Sequence, residues 1–254
     1  MNRKEIIEIT KQKLKEKLNN ADQKIINLAQ IIEKVPNNIN ELYEQLRVIT
    51  DQEYPTLDQS LTIKEYVLFY LLEEKNEKNI KNLNISEKNI KEIIKIKNSN
   101  VSIDLNKDIK EITLNLAKDI LNLIETKEKM EFEIDKLLKE NYVNAYHVAT
   151  PKILCKMLEI AGSSKRLSRF PASTIQLLGS EKNFFKALKF NKNTPKYGVI
   201  FNHPLVISLP FKNKAKFSRT LAAKIAIAIK ADITNNKIYE ELDKTIKIKH
   251  SKLK

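Results

Sequence analysis

The chain has 254 residues, 42% of them hydrophobic and 31% charged, with three glycines, seven prolines and no tryptophan. This supports one large domain or two smaller ones and favours helix over sheet. The formal charge of +14 points to nucleic acid or an anionic membrane surface, but it is unevenly placed: residues 1–140 carry 24 Lys+Arg against 26 Asp+Glu, and residues 141–254 carry 22 against 6. The basic excess therefore belongs to the C-terminal half. The single cysteine, Cys155, excludes an intramolecular disulfide and suits a reducing interior, and its setting ILCKML reads as a small buried residue. No apolar run approaches the roughly 20 residues needed to span a bilayer, and the N-terminus MNRKEIIEITKQKLKEK lacks the apolar stretch of a secretion signal. A soluble, intracellular protein is expected.

From Leu14, apolar residues recur at alternating steps of four and three: Leu14, Leu18, Ala21, Ile25, Leu28, Ile32, Val35, Ile39, Leu42, Leu46 and Ile49. This is the pattern of a coiled-coil seam, or of a long bundle helix packed on its own chain; either needs a partner helix. Pro36 lies inside the pattern, and a kink or short break is expected at 33–37. Pro55 ends the helix by disfavouring helical geometry at Tyr54. Residues 56–104 read as a small helical lobe. In it, TIKEYVLFYLLEE is a helix capped by Thr62 with Glu65 three residues on, and ISEKNIKEIIKIK is a helix capped by Ser86. NEKNIKNLN and KNSN read as solvated turns.

A second long helix is expected from near Asp104, with its seam at Leu105, Ile109, Ile112, Leu116, Ile120, Leu123, Met130, Ile134 and Leu137, and Lys127 at the one polar position. Leu116 to Ile120 repeats a step of four, which shifts the heptad phase. Two such helices with a lobe between them should fold back antiparallel, giving a coiled-coil domain over residues 1–140. The basic module is expected at 141–235. It starts with YVNAYHVATPKILCKMLEIAG, which Gly162 is placed to end. Ser173 or Thr174 then caps a helix STIQLLGSEKNFFKALKF, and Asn191–Tyr197 form a basic loop. GVIFNHPLV is a β-like or irregular apolar run, and KNKAKFSRTLAAKIAIAIKAD after Pro210 is a strong helix with an Ala- and Ile-rich buried face. The tail 236–254, ending in KIKHSKLK, is expected to be disordered and to add weak phosphate attraction. The fold class is all-α.

All three glycines, Gly162, Gly179 and Gly198, fall in or beside residues 161–204. There the backbone turns sharply or is closely approached. Lys165, Arg166, Arg169, Lys182, Lys186, Lys189, Lys192 and Lys196 surround the one acid, Glu181, making the segment a candidate polyanion-binding surface. Lys182, Lys186 and Lys189 fall at i, i+4 and i+7, a basic stripe with the reach to track phosphates. By the charge run alone, a solvated lysine face is the simpler reading.

PASTIQLLGSEKNFF, YGVIFNHPLV and RTLAAKIAIAIKAD stand in the order, spacing and near-wording of the Nop-domain signature. KIINLAQIIEKVPNNINELYEQLRVITDQEYPTLD resembles the first coiled-coil helix of the same proteins, so the resemblance covers about residues 15–235. It is strongest to the archaeal scaffold protein of box C/D small ribonucleoproteins and weaker to the spliceosomal Nop-domain protein. The resemblance implies an RNA-binding scaffold, not an enzyme. It would recognise a kink-turn of box C/D guide RNA together with the small kink-turn-binding protein already on it, and dimerise through the coiled coil. Fibrillarin, which methylates the ribose 2′-hydroxyl, would be recruited through a separate N-terminal domain. Only about 20 residues precede the coiled coil, so fibrillarin is expected to come directly or through a separate chain, unless the chain is truncated or a variant that does not recruit it directly. No cofactor, metal or membrane is implied. The implied compartment is the cytoplasm of an archaeal-type cell, or the nucleolus of a eukaryote.

With the resemblance, Gly179, Glu181 and Lys182 take a role at the RNA–protein junction, and Lys186 and Lys189 extend it. Of the adjacent Phe184 and Phe185, one packs in the core and the other, assigned as Phe185, faces a partner. Gln176 either reads RNA or caps a backbone group. Asn202 and His203 sit in a Pro-bounded loop, where they meet a base or phosphate, or where His203 is structural. Arg169, Lys196, Lys212, Lys214, Lys216 and Arg219 read as phosphate-positioning contacts. His147, on a helix among apolar residues, reads as a satisfied core histidine. There is no metal-ligand spacing, P-loop, G-x-G-x-x-G or nucleophile–histidine set. The alternatives in play are a Nop-domain protein of another kink-turn particle, a nucleic-acid-processing enzyme using Glu181 and His203, and an adaptor binding acidic membrane.

Overall fold

The structure, a computed structural model, describes residues 3, 5, 7, 8, 11 and 20–254, apart from 56, 58–60, 84, 98–104 and 192. The seam positions Leu14 and Leu18 and most of the KNSN turn lie outside the described residues. The elements described are helical. Two compact units form, one from residues 32–131 and the other from 1–31 with 132–254.

The first unit contains most of helix α1 (Ala21–Thr50), then α2 (Ile63–Tyr70), α3 (Glu77–Asn82) and α4 (Glu87–Lys97), and the larger part of α5 (Lys107–Asn141). Helix α1 follows the seven-residue pattern. Every described seam position is buried or half-buried, whereas the out-of-phase Ile31 and Val48 are exposed. Of the kink or short break expected at 33–37, the break does not occur: α1 runs on through Pro36. A proline inside a helix removes one backbone hydrogen bond, and the flanking Val35 and Ile39 share a core with Ala117 and Ile120 of α5 that offsets the loss.

Helix α2 carries the expected capping box: the Thr62 side chain accepts from Glu65 N, and Glu65 Oε2 accepts from Thr62 N at 2.8 Å. Ser86 likewise caps α4, accepting from Asn89 N at 3.3 Å. The Asn- and Lys-rich NEKNIKNLN is not simply a solvated turn. It holds α3, because Asn76 caps Asn79 N at 2.8 Å and Ile80 is fully buried among Tyr43, Leu57, Tyr66 and Phe69.

The expected seam of α5 is also displaced at its start. Ile109 and Ile112 are exposed, and the residues turned inward are Thr113, Ala117 and Ile120, with Lys110 half-buried beside them. Polar pairing decides this register: Thr113 Oγ1 meets the Tyr70 hydroxyl at 2.7 Å, and Lys110 pairs with the buried Glu53 at 3.1 Å. Small Ala117 leaves room for Val67 and Tyr70.

The second unit opens with the first turns of α1 and the last of α5. Asp22, only 4% exposed, accepts hydrogen bonds from the Tyr142 hydroxyl and from Ser164 N and Oγ, the latter two at 2.8 and 2.9 Å. Helices α6 (Val143–Ala149) and α7 (Pro151–Ala161) are split at Thr150, whose φ is 69°, with Pro151 starting the next helix. Gly162 ends α7 at φ 80°, donating to Leu158 O at 2.8 Å, as its position predicts. Then come α8 (Ser164–Leu167), α9 (Ala172–Leu177), α10 (Glu181–Lys189), a 3-10 turn (Val199–Asn202), α11 (Pro204–Ile207), α12 (Phe211–Ile233) and α13 (Tyr239–Ser251). Helix α12 is central and packs on α6, α9 and α13. Its buried face is Phe217, Leu221, Ala222, Ile225, Ala226, Ala228, Ile229 and Ala231, and the alanines let neighbouring backbones come close.

The tail is not disordered. Asp232 accepts from Asn144 N and Nδ2 and from Ala145 N at 2.8–2.9 Å, while Asn144 donates to Asn236 O and accepts from Ile238 N. That network fixes the turn that launches α13. Leu242 and Ile246 are then buried, and His250 stands edge-on to Phe217 with centroids 5.4 Å apart. These residues at i, i+4 and i+8 form an apolar stripe only two to three side chains long, easily hidden in a polar sequence. Burial contributes about 1.5–3 kcal/mol for each of Leu242 and Ile246. His147 corrects another expectation: it is exposed, and its ring stacks on Tyr239 at 4.5 Å instead of lying in the core. Cys155 is buried as expected, which pushes its thiol up to about 11.

Candidate nucleic-acid interface

The stretch read as a single helix from Ser173 to Phe190 is two helices, α9 and α10, divided at Gly179. A left-handed glycine (φ +84°) makes the division, and a Cβ there would lie 2.6 Å from Val199 Cγ1. The turn is locked from both sides: Glu181 Oε1 accepts from Gly179 N at 2.8 Å, and Ser180 Oγ donates to Leu177 O at 2.5 Å. Beneath it, Gly198 N donates to Gln176 O and Val199 N to Leu178 O, each at 2.8 Å. A Cβ on Gly198 would stand 1.9 Å from Leu178 O, so only glycine fits this two-rung crossing.

Held by this base, α10 turns most of its side chains to solvent. Ala187 is buried and Phe184 half-buried, whereas Phe185, Leu188 and Phe190 are 66, 55 and 62% exposed. Lys182, Lys186 and Lys189 are exposed too, with Lys189 Nζ 5.8 Å from the Phe190 ring centroid. A helix of nine residues that buries so little of its own apolar surface offers both cations and hydrophobic area to another molecule.

The sequence-predicted residues divide into two groups. Gly179, Glu181, Lys182, Phe185, Lys186 and Lys189 are brought together on one turn and helix. Lys196 is tied to them by Gln176, whose Nε2 donates to Lys196 O at 2.7 Å. Gln176 is buried, so it takes the backbone-capping alternative. His203 is also turned inward, at 5% exposure: its Nδ1 accepts from Leu205 N at 3.2 Å to cap α11, and burial lowers its pKa. The base-contact reading of His203 yields to the structural one, while neighbouring Asn202 stays exposed. Arg169 and Arg219 are exposed on other elements, after α8 and on α12.

Sequence reasoning missed Leu188 and Phe190 as exposed apolar residues. It also missed a stacked pair, Tyr197 on Phe201, with centroids 4.6 Å apart and Lys214 Nζ 5.1 Å from the Phe201 ring. Their four-residue spacing was visible but lay in a run read only as apolar. Among the described residues, no group of three or more His, Cys, Asp or Glu is arranged to hold a metal ion, and no helix is long and apolar enough to cross a membrane.

A family model described as "Nop: snoRNA binding domain, fibrillarin" matches residues 31–252. The chain belongs to the Nop family. It is 30% identical over 244 residues to an uncharacterised NOP5 family protein of Methanocaldococcus jannaschii, covering 92% of this chain and 58% of that protein. To nucleolar protein 56 of Dictyostelium discoideum it is 30% identical over 237 residues, covering 88% of this chain and 43% of the relative. The chain thus spans about half the length of these Nop relatives. A crystal structure of a fibrillarin/Nop5p complex contains a similar fold, with a TM-score of 0.58 and 25% identity over 99% of this chain and 77% of that one.

Proposed function

We propose that this Nop-family chain is an RNA-binding scaffold of a box C/D-type small ribonucleoprotein, one that guides ribose 2′-O-methylation without catalysing it. Its target is a kink-turn RNA already carrying a small kink-turn-binding protein. The observation that carries this reading is α10 with its capping Phe190: three lysines for phosphate and three exposed apolar side chains, Phe185, Leu188 and Phe190, for protein, on a turn locked by Gly179, Glu181 and Gly198. Lysines alone would suit any polyanion, whereas the mixed surface fits a junction of RNA and protein. Dimerisation is supported by unit 32–131, which leaves Val48, Ile109 and Ile112 exposed. The family match and the similar chain of the fibrillarin/Nop5p complex support fibrillarin as the enzyme served.

The test is a gel shift with kink-turn RNA, with and without the small protein. Binding is expected to need both and to weaken steeply with salt. Equally tight binding to RNA of any shape without the protein would overturn the proposal.

A further inference from the structure

We propose that the C-terminal helix builds a second phosphate-binding surface, distinct from α10, that grips a stem of the same RNA beyond the kink-turn. The inference rests on the RNA-scaffold reading for the identity of the ligand but on separate residues for its geometry. Docking of α13 brings its end to the start of α12: Asn213 Nδ2 donates to Leu253 O at 2.6 Å, and Ser208 Oγ meets His250 Nε2 at 2.9 Å. Forty residues apart in sequence, Lys212, Lys214 and Lys216 therefore join Lys249, Lys252 and Lys254 at one corner of the unit.

Neither contributing stretch carries an acid. None occurs between Lys182 and Ala231 or between Lys244 and Lys254. The acids of α13, Glu240, Glu241 and Asp243, are confined to its first half, where Asp243 pairs with Lys247 at 2.5 Å. Among the described residues, none of the six clustered lysines pairs with a carboxylate. Lys212, Lys216 and Arg219 are exposed at i, i+4 and i+7 on α12, so one face of that helix adds a row of cations.

A chain of contacts leads from this corner back to the Gly179 turn. Lys214 sits over Phe201, Phe201 stacks on Tyr197, and Val199 between them hydrogen-bonds to Leu178. Packed aromatic and backbone contacts therefore join the corner to the turn that carries α10. Clustered lysines on and just beyond two docked helices, unneutralised and without a base-reading constellation, match a phosphodiester backbone and give affinity without sequence discrimination.

The experiment compares wild type with Lys249→Gln/Lys252→Gln/Lys254→Gln, checked for an unchanged thermal melt, on two kink-turn RNAs carrying the small protein, one with a minimal stem and one extended by a helical turn. The variant is expected to lose about tenfold in affinity for the extended RNA, to lower its log–log salt slope by about two to three, and to bind the minimal RNA as wild type does. Equal losses on both RNAs, or none on either, would overturn the proposal. If wild type does not bind the kink-turn complex, the scaffold reading fails by itself, and plain duplex RNA then decides the second surface: a weaker variant upholds it, and an unchanged one overturns it. Loss of binding to anionic vesicles but not to duplex RNA also overturns it.

Discussion

Replacing Gly198 with alanine should damage the site more than any other single-methyl change, and the three glycines provide their own calibration. At Gly162 an added Cβ meets nothing within 4 Å, so alanine there suffers only the left-handed backbone strain at φ +80°, about 1 kcal/mol. At Gly198 φ is −106°, so that penalty is absent, but the Cβ would lie 1.9 Å from Leu178 O and 2.7 Å from Leu177 C and O. Those are backbone atoms, and no rotamer change relieves the contact. Relief requires separating the two crossing segments, which gives up Gly198 N to Gln176 O, Val199 N to Leu178 O and Gln176 Nε2 to Lys196 O. At about 1 kcal/mol net for each hydrogen bond, the loss is about 3 kcal/mol. Urea denaturation followed by circular dichroism measures both variants on one scale. Because the crossing also fixes the start of α10, Gly198→Ala should abolish RNA-complex binding under conditions where Gly162→Ala retains it. A Gly198→Ala protein as stable as Gly162→Ala, or one that binds normally, would refute the reasoning.

Three further outcomes are expected. Lys182→Glu/Lys186→Glu should lose RNA-complex formation in a gel shift yet keep its melting temperature and its sedimentation behaviour, since both side chains are exposed; unchanged affinity would discredit the α10 surface. Asp22→Ala removes a buried acceptor of three hydrogen bonds and should cost about 3 kcal/mol in urea denaturation, whereas a loss below 1 kcal/mol would show that the Tyr142 and Ser164 contacts do not hold the helix ends together. Burial depresses the pKa of His203, so the unfolded chain binds its proton more readily than the folded one, and its contribution is full above about pH 6.5 and lost as pH falls. His203→Gln should flatten the stability-against-pH curve on the acid side of neutrality, and an identical slope in both proteins would count against the buried neutral ring.

Much of this molecule was legible in its sequence because local rules dictate it. The α1 seam, the Thr62–Glu65 capping box, Gly162 as a helix stop and the apolar face of α12 each depend on residues of a single helix and its ends. Charge segregation and the GSEK wording located the basic module and its turn for the same reason. What the tertiary structure decided concerns partners far apart in the chain. Thr113 points inward because Tyr70 awaits it, and the Lys110 amine is drawn to the buried Glu53, so the α5 seam is not the one its isoleucines suggest. Gln176 and His203 look like ligand-seeking polar residues until the Lys196 carbonyl and the Leu205 amide are seen to occupy them. The polar tail becomes a helix because Asp232 and Asn144 fix its turn and because α12 offers Phe217 to His250. Periodicity shows which face of a helix is apolar, but a buried polar group takes its role from a partner supplied by the fold.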